Sequence, residues 1–166
     1  MHARIDSPAL TVPGALEALQ GLAKAATQAG IPETTLHLVE LRASQINGCS
    51  TCVDIHSRQL KMAGERDARI FSVAAWREAP YYSDEERAAL ALTEAATRLA
   101  DRPDAVSDEL WAEVSRHYDD RQLAGLVIAI AGINAWNRIN GLTHQISGDW
   151  IGRWLASSSR VSSKAA

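Results

Sequence analysis

The sequence predicts an all-α, single-domain bundle of about six to seven helices, and two observations carry that expectation. The chain is rich in Ala, Leu, Glu and Arg but has one Phe and three Tyr, a balance that favours helix over strand residue by residue. Apolar residues also recur at helical spacing between start and stop signals. At 166 residues the chain suits one domain, long enough to bury roughly 70% of its unfolded surface.

A first helix is expected from Pro13 to Ala29, with Leu16, Leu19 and Leu22 on one face and Gly30 as its stop. Pro32 opens a second, which carries Leu36, Val39, Leu41 and Ile46 toward Asn47-Gly48, a dipeptide suited to ending a helix. A third starts at Cys49 and continues through Leu60 and Met62 to Gly64, and a short one covers Ala68 to Trp76. Ser83-Asp84-Glu85-Glu86 has the form of a capping box, so a helix should run from Asp84 to Ala100 with Leu90, Leu92 and Leu99 facing the core. After Pro103, Asp108 to His117 make a short helix. Asp120 to Ile146 make a long one, apolar nearly all round in its first half and so expected at the centre. The domain is read as residues 1–156, followed by a small, polar and frayed tail, 157–166.

Lys and Arg number 17 against 20 acids, a net charge of −3 with both signs interspersed, which argues against nucleic acid as a partner. The longest apolar stretch, Leu123 to Ile133, is too short to cross a bilayer, so no membrane span is expected. The N-terminus lacks the basic-then-apolar pattern of a signal peptide, and a cytoplasmic location is the default.

The chemistry-bearing feature is Cys49-Ser50-Thr51-Cys52 with His56 four positions on, in a chain that has no other cysteine. On a helix, at about 100° per residue, all three side chains share one face. In a reducing compartment such a pair suits redox or metal chemistry better than a structural staple. Gly48 places the cysteines in the first turn of a helix, where free N–H groups and the positive end of the dipole favour a thiolate. Zinc is the rival use. With no second cysteine pair, His37 would have to complete a Cys2His2 set. The remaining reading is two small buried cysteines and a satisfied histidine.

The run H-L-V-E-L-R-A-S-Q-I-N-G-C-S-T-C-V-D-I-H, with A-G-E at Ala63 to Glu65, A-A-W-R-E-A-P at Ala74 to Pro80 and, more weakly, I-N-A-W-N-R-I-N at Ile133 to Asn140, resembles the alkylhydroperoxidase D-like branch of the carboxymuconolactone decarboxylase superfamily. The resemblance implies an all-helical fold assembling as homo-trimers or homo-hexamers, and a hydroperoxide-reducing peroxidase. It implies Cys52 as the attacking thiol, Cys49 as the resolving thiol and His56 as part of a proton relay, with no cofactor but an external dithiol reductant, a protein or a lipoamide-type group. A thiolate is indeed the nucleophile toward an O–O bond, and an imidazole at i+4 can accept its proton.

One position departs from the family pattern. The family's relay glutamate lies twelve residues before the first cysteine, where this chain has His37. Glu40 is the nearest acid, three residues on, so His37 and Glu40 can face the motif together. The competing expectation pairs Glu40 with Arg42.

Other polar residues have structural expectations. Gln45 and Asn47 are expected to bond at the turn, and Asn134, Asn137 and Asn140 to knit helices or subunits. Trp76, Trp111, Trp136, Trp150 and Trp154 are expected to pack in the core or at interfaces rather than wall a pocket, and His117 and His144 to be surface or structural residues. Neither thiol is required to be part of the core. Two rival functions stand beside the peroxidase: lactone decarboxylation, which does not depend on a cysteine pair, and a non-catalytic assembly protein that senses redox state or holds zinc.

Overall fold

The computed structural model describes residues 2–148 apart from 100, 101 and 103. It contains eight α-helices, α1 Pro8–Thr11, α2 Ala15–Thr27, α3 Glu33–Asn47, α4 Ser50–Met62, α5 Asp67–Ser72, α6 Asp84–Thr97, α7 Asp108–Val114 and α8 Asp120–Thr143, with a 3-10 turn at Val73–Ala75 after α5. There is no strand among the described residues. The fold is the all-helical single domain that the composition predicts. Trp150, Trp154, Pro103, the far end of the Asp84–Ala100 helix and the tail 157–166 lie outside the described residues.

Local signals set most helix starts. Ser83 and Glu86 form both bonds of the capping box, as do Asp119 and Gln122 at the head of α8. Ser107 caps α7 by accepting from the Leu110 N–H. Elsewhere the boundaries move. Ser7-Pro8 opens an extra short helix, with Pro at N1, and the next helix starts at Ala15 rather than Pro13. The long helix stops at Thr143, three residues short of the expectation, because His144 turns left-handed.

Three apolar clusters hold the bundle. Leu36 and Val39 of α3 meet Ala88, Ala89 and Leu92 of α6, Val114 of α7, and Leu126 and Ile130 of α8. Leu38 and Leu41 pack with Leu60, Val73, Trp76 and Leu90. Ala43 joins Cys49, Cys52 and Ile133 in the third. Helix α3 therefore contributes to all three, sharing the central position that the sequence assigns to α8 alone. Its neighbours cover it on several sides, so its periodicity is weak while most of its surface is buried.

Leu99, expected to face the core, is exposed beyond the end of α6, and Leu22 is exposed on a helix α2 whose one buried residue is Ala26. Helix α2 lies over α8 as an outer layer, and Gly125 allows the close approach. A Cβ at that glycine would fall 2.3 Å from the Ala29 Cβ.

A buried ionic cluster ties α3, the 3-10 turn and α6 together. Glu94 is 5% exposed. It accepts from Arg42 Nε at 2.7 Å, Trp76 Nε1 at 3.0 Å, Arg77 Nη1 at 2.6 Å and Arg98 Nη1 at 3.1 Å. Burial alone would raise its carboxyl pKa. The bonds from Arg77, Trp76 and Arg42 outweigh that and lower it to about 2.

Candidate active site

The turn between α3 and α4 builds the site. Gly48 takes the left-handed conformation, φ 67°, that ends α3 and redirects the chain. Cys49 then becomes the N-cap of α4, its sulfur accepting from the Cys52 N–H at 3.3 Å. Cys49 and Cys52 are joined as a disulfide, with Cα atoms 5.4 Å apart. Both are buried, at 3% and 2% exposure. This corrects the expectation that neither thiol need be core: both share an apolar cluster with Ala43 and with Ile133 of α8, and Asn140 of α8 donates to Cys52 Sγ at 3.4 Å.

Glu40 is the hub of the titratable groups. His37 Nδ1–H donates to Glu40 Oε2 at 2.9 Å. His56 Nδ1 stands 3.1 Å from the same oxygen, an ion-pair distance without the alignment of a hydrogen bond. The two imidazole centroids are 6.2 Å apart. Burial by itself would raise the Glu40 pKa. The coulombic interaction with His56 and the hydrogen bond from His37 prevail and lower it to about 2. The pairing with Arg42 does not form, because Arg42 reaches Glu94 across the core with Nη2–Oε1 at 2.6 Å. The structure thus brings His37, Glu40 and His56 together beside the cysteine turn.

These groups open on a cavity of about 650 Å³ between α1, α2, α3, α4 and α8. Cys52, His56, His37 and Glu40 line it and Cys49 does not. Leu10, Leu16, Leu19, Ile55 and Ile128 make much of the wall apolar. Trp136 also lines it, whereas Trp76 is buried in the core and Trp111 is 41% exposed. Helix periodicity on α4 explains why Cys52, Ile55, His56 and Gln59 all face this space.

The asparagines of α8 act as helix ties. Asn47 Nδ2 donates to Asn134 Oδ1 at 2.9 Å and Asn137 Oδ1 at 2.8 Å, and Asn137 Nδ2 donates to Ser44 Oγ at 3.0 Å. Gln45 accepts from Arg42 at 3.4 Å. Thr51 Oγ1 donates to the Gln145 carbonyl at 2.8 Å, anchoring the chain beyond α8 onto the cysteine motif. His117 sits against Glu113 at 3.3 Å, outside the site. Sequence reasoning did not single out Asn140 as a thiol neighbour, nor Thr51 and Gln59 as lining residues. An amide recurring every three residues on α8 was the available signal for Asn140.

With the site's geometry established, similarity to known proteins decides its family. The model of the carboxymuconolactone decarboxylase family matches residues 13–95. A Bacillus subtilis protein, YdfG, whose function is uncharacterised, is 40% identical over 128 residues, covering 77% of this chain and 86% of that one. The chain belongs to the carboxymuconolactone decarboxylase family. Within that family its similarity is to the alkylhydroperoxidase D-like branch. A solved structure from Agrobacterium tumefaciens, ATU0492, superposes with a TM-score of 0.81 at 32% identity, covering 88% of this chain and 98% of that one. It is a protein of unknown function whose description suggests an AhpD antioxidant defence protein. The debrominase Bmp8 shares the fold of this family member, with a TM-score of 0.72 at 22% identity over 82% of this chain and 73% of its own.

Proposed function

We propose that this family member is a thiol peroxidase that reduces hydroperoxides through a dithiol–disulfide cycle of Cys52 and Cys49. The observation that carries the reading is that Cys52, and not its partner, lines a largely apolar cavity together with His56 and Glu40. A hydroperoxide entering that space meets Cys52 first. The thiolate attacks the O–O bond, one oxygen stays on sulfur as the sulfenic acid, and the other leaves as an alcohol after taking up a proton. The Cys49 thiol then condenses with the sulfenic acid, releasing water and forming the disulfide. An external dithiol, on a protein or a lipoamide-type group, returns both sulfurs to thiols by exchange.

Glu40 gives the cycle its proton logic. A carboxylate beside His56 Nδ1 favours the tautomer protonated there, which leaves the Nε2 lone pair to accept the Cys52 proton. His37 holds Glu40 from the other side. The helix start at Cys49 adds its dipole in favour of a thiolate. The reading includes a homo-trimer or homo-hexamer in the cytoplasm. No helix among the described residues is long and apolar enough to cross a membrane.

The test is peroxide consumption by the reduced protein with a dithiol reductant in excess. Wild type should turn over, and Cys52→Ser and Cys49→Ser should not. Wild type that keeps both thiols under excess hydroperoxide would overturn the reading.

A further inference from the structure

We propose that His37, Glu40 and His56 form a three-ligand site for a divalent transition-metal ion, zinc by its ligand chemistry, opening on the Cys52 cavity. One ligand atom from each residue can be chosen so that all three lie within 4.8 Å of one another. Glu40 Oε2 is 2.9 Å from His37 Nδ1 and 3.1 Å from His56 Nδ1. Tetrahedral zinc, with bonds of about 2.0–2.1 Å to nitrogen and oxygen, has ligand–ligand edges of about 3.4 Å. The two carboxylate–imidazole edges need to open by about 0.3–0.5 Å, and the imidazole–imidazole edge, which lies within 4.8 Å, is set by turning the two rings about the shared carboxylate.

Three further features suit an ion. His56 Nδ1 is a buried nitrogen with no aligned hydrogen-bond partner, directed at the carboxylate. His37 ligating through Nδ1 would present Nε2–H to Glu33 Oε1, 3.5 Å away, the carboxylate–histidine–metal arrangement that orients ligating imidazoles. The adjoining cavity gives an approach route and space for a water in the fourth position, and the two imidazoles and one carboxylate match a borderline ion better than calcium or magnesium.

The site is distinct from a cysteine-based zinc site, because it needs neither sulfur. It shares His56 with the peroxidase cycle, so an ion on Nδ1 would leave the remaining imidazole proton on Nε2, unable to receive one from Cys52. That consequence rests on the peroxidase reading. The site itself does not.

The experiment uses the full chain with Cys49 and Cys52 in their disulfide, so that no thiolate binds metal. Zinc sulfate is added, free ion is removed by gel filtration, and retained zinc is counted per chain, with affinity from competition against a chromophoric chelator. One zinc per chain is expected. His56→Ala and Glu40→Gln should each weaken it more than about tenfold, while His117→Ala, at the separate Glu113 pair, should leave it unchanged. Cobalt in place of zinc should give the visible absorption of a low-coordinate nitrogen–oxygen site in wild type, absent in Glu40→Gln. Helical circular dichroism on each variant separates a lost ligand from a lost fold. No zinc retained by wild type, or equal retention by folded His56→Ala and Glu40→Gln, would overturn the proposal. Because no peroxide is used, that failure is distinguishable from failure of the peroxidase reading.

Discussion

Asn140 donates its side-chain amide to Cys52 Sγ at 3.4 Å, which makes the long helix α8 a direct neighbour of the sulfur proposed to attack. A donor in that place stabilises a thiolate more than a thiol, so it lowers the energy of the attacking form. Replacing Asn140 by Leu should therefore raise the Cys52 pKa. A hydrogen bond to a charged group contributes about 1.5–3 kcal/mol, so alkylation of reduced Cys52 at neutral pH should slow by roughly 10- to 100-fold. Iodoacetamide kinetics on the reduced Cys49→Ser background, with and without Asn140→Leu, measure this. An unchanged rate would show that the contact contributes nothing to the thiolate.

Glu40 and His37 should separate in their effects. Glu40 faces both imidazoles within 3.1 Å, whereas the two rings stand 6.2 Å apart with no hydrogen bond between them. Glu40→Gln removes the carboxylate that orients His56, and general-base assistance contributes about 10²- to 10⁴-fold. A loss toward the lower end of that range is expected in the rate of peroxide-driven thiol oxidation. His37→Ala should cost less, because the carboxylate remains beside His56. Stopped-flow oxidation of the two reduced variants tests the order, and a larger loss for His37→Ala would reverse the assignment of Glu40 as hub.

The Glu94 cluster gives a stability prediction with a definite pH window. Its carboxyl pKa is lowered from the ordinary 4.5 to about 2. Such a group contributes stability that is present above the unfolded pKa and is lost as pH falls toward the folded one. The contribution should be complete above roughly pH 5, decline from about pH 4.5 to 2, and amount to something on the order of 3 kcal/mol. Glu94→Gln leaves the guanidinium of Arg42, 12% exposed, without its carboxylate. Breaking a buried pair from one side costs about 3–5 kcal/mol. Urea unfolding at pH 7 should show that loss, and the difference between variant and wild type should shrink as the pH is lowered to 3.

Gly125 is the contact point of the outer layer. With the Ala29 Cβ 2.3 Å from where a new Cβ would stand, Gly125→Ala must push the α2–α3 connection away from α8. Overpacking of this kind costs about 1–3 kcal/mol. Thermal unfolding should register it. Because α2 also walls the cavity, access to Cys52 should increase, read as faster reduction of the disulfide by a small dithiol.

What could be read in the sequence was mostly local. The Ser83–Glu86 box, Gly48 before Cys49 and the shared face of Cys52 and His56 depend on residues three or four apart, and helix geometry alone determines them. Long-range partners lie beyond that reach. Arg42 finds Glu94 52 residues away and Asn140 finds Cys52 88 residues away, through packing that no local spacing encodes. The partners of Glu40 were only partly legible in its own helix: His37 three residues before can face it and Arg42 two residues after cannot, but His56 comes from another helix and Arg42 goes to Glu94 across the core. Likewise the leucines of α2 have helical spacing, but Leu22 is left exposed because the helix lies as an outer layer.

In the proposed cycle Cys52 attacks the peroxide and Cys49 resolves it. Its most direct test is mass spectrometry of reduced Cys49→Ser after one equivalent of an organic hydroperoxide, with a sulfenic-acid trap present. A single oxygen on Cys52, captured by the trap, is expected, with no adduct on Cys49 in the reciprocal Cys52→Ser protein. An oxidised Cys49 in Cys52→Ser, with Cys52 untouched in Cys49→Ser, would contradict it.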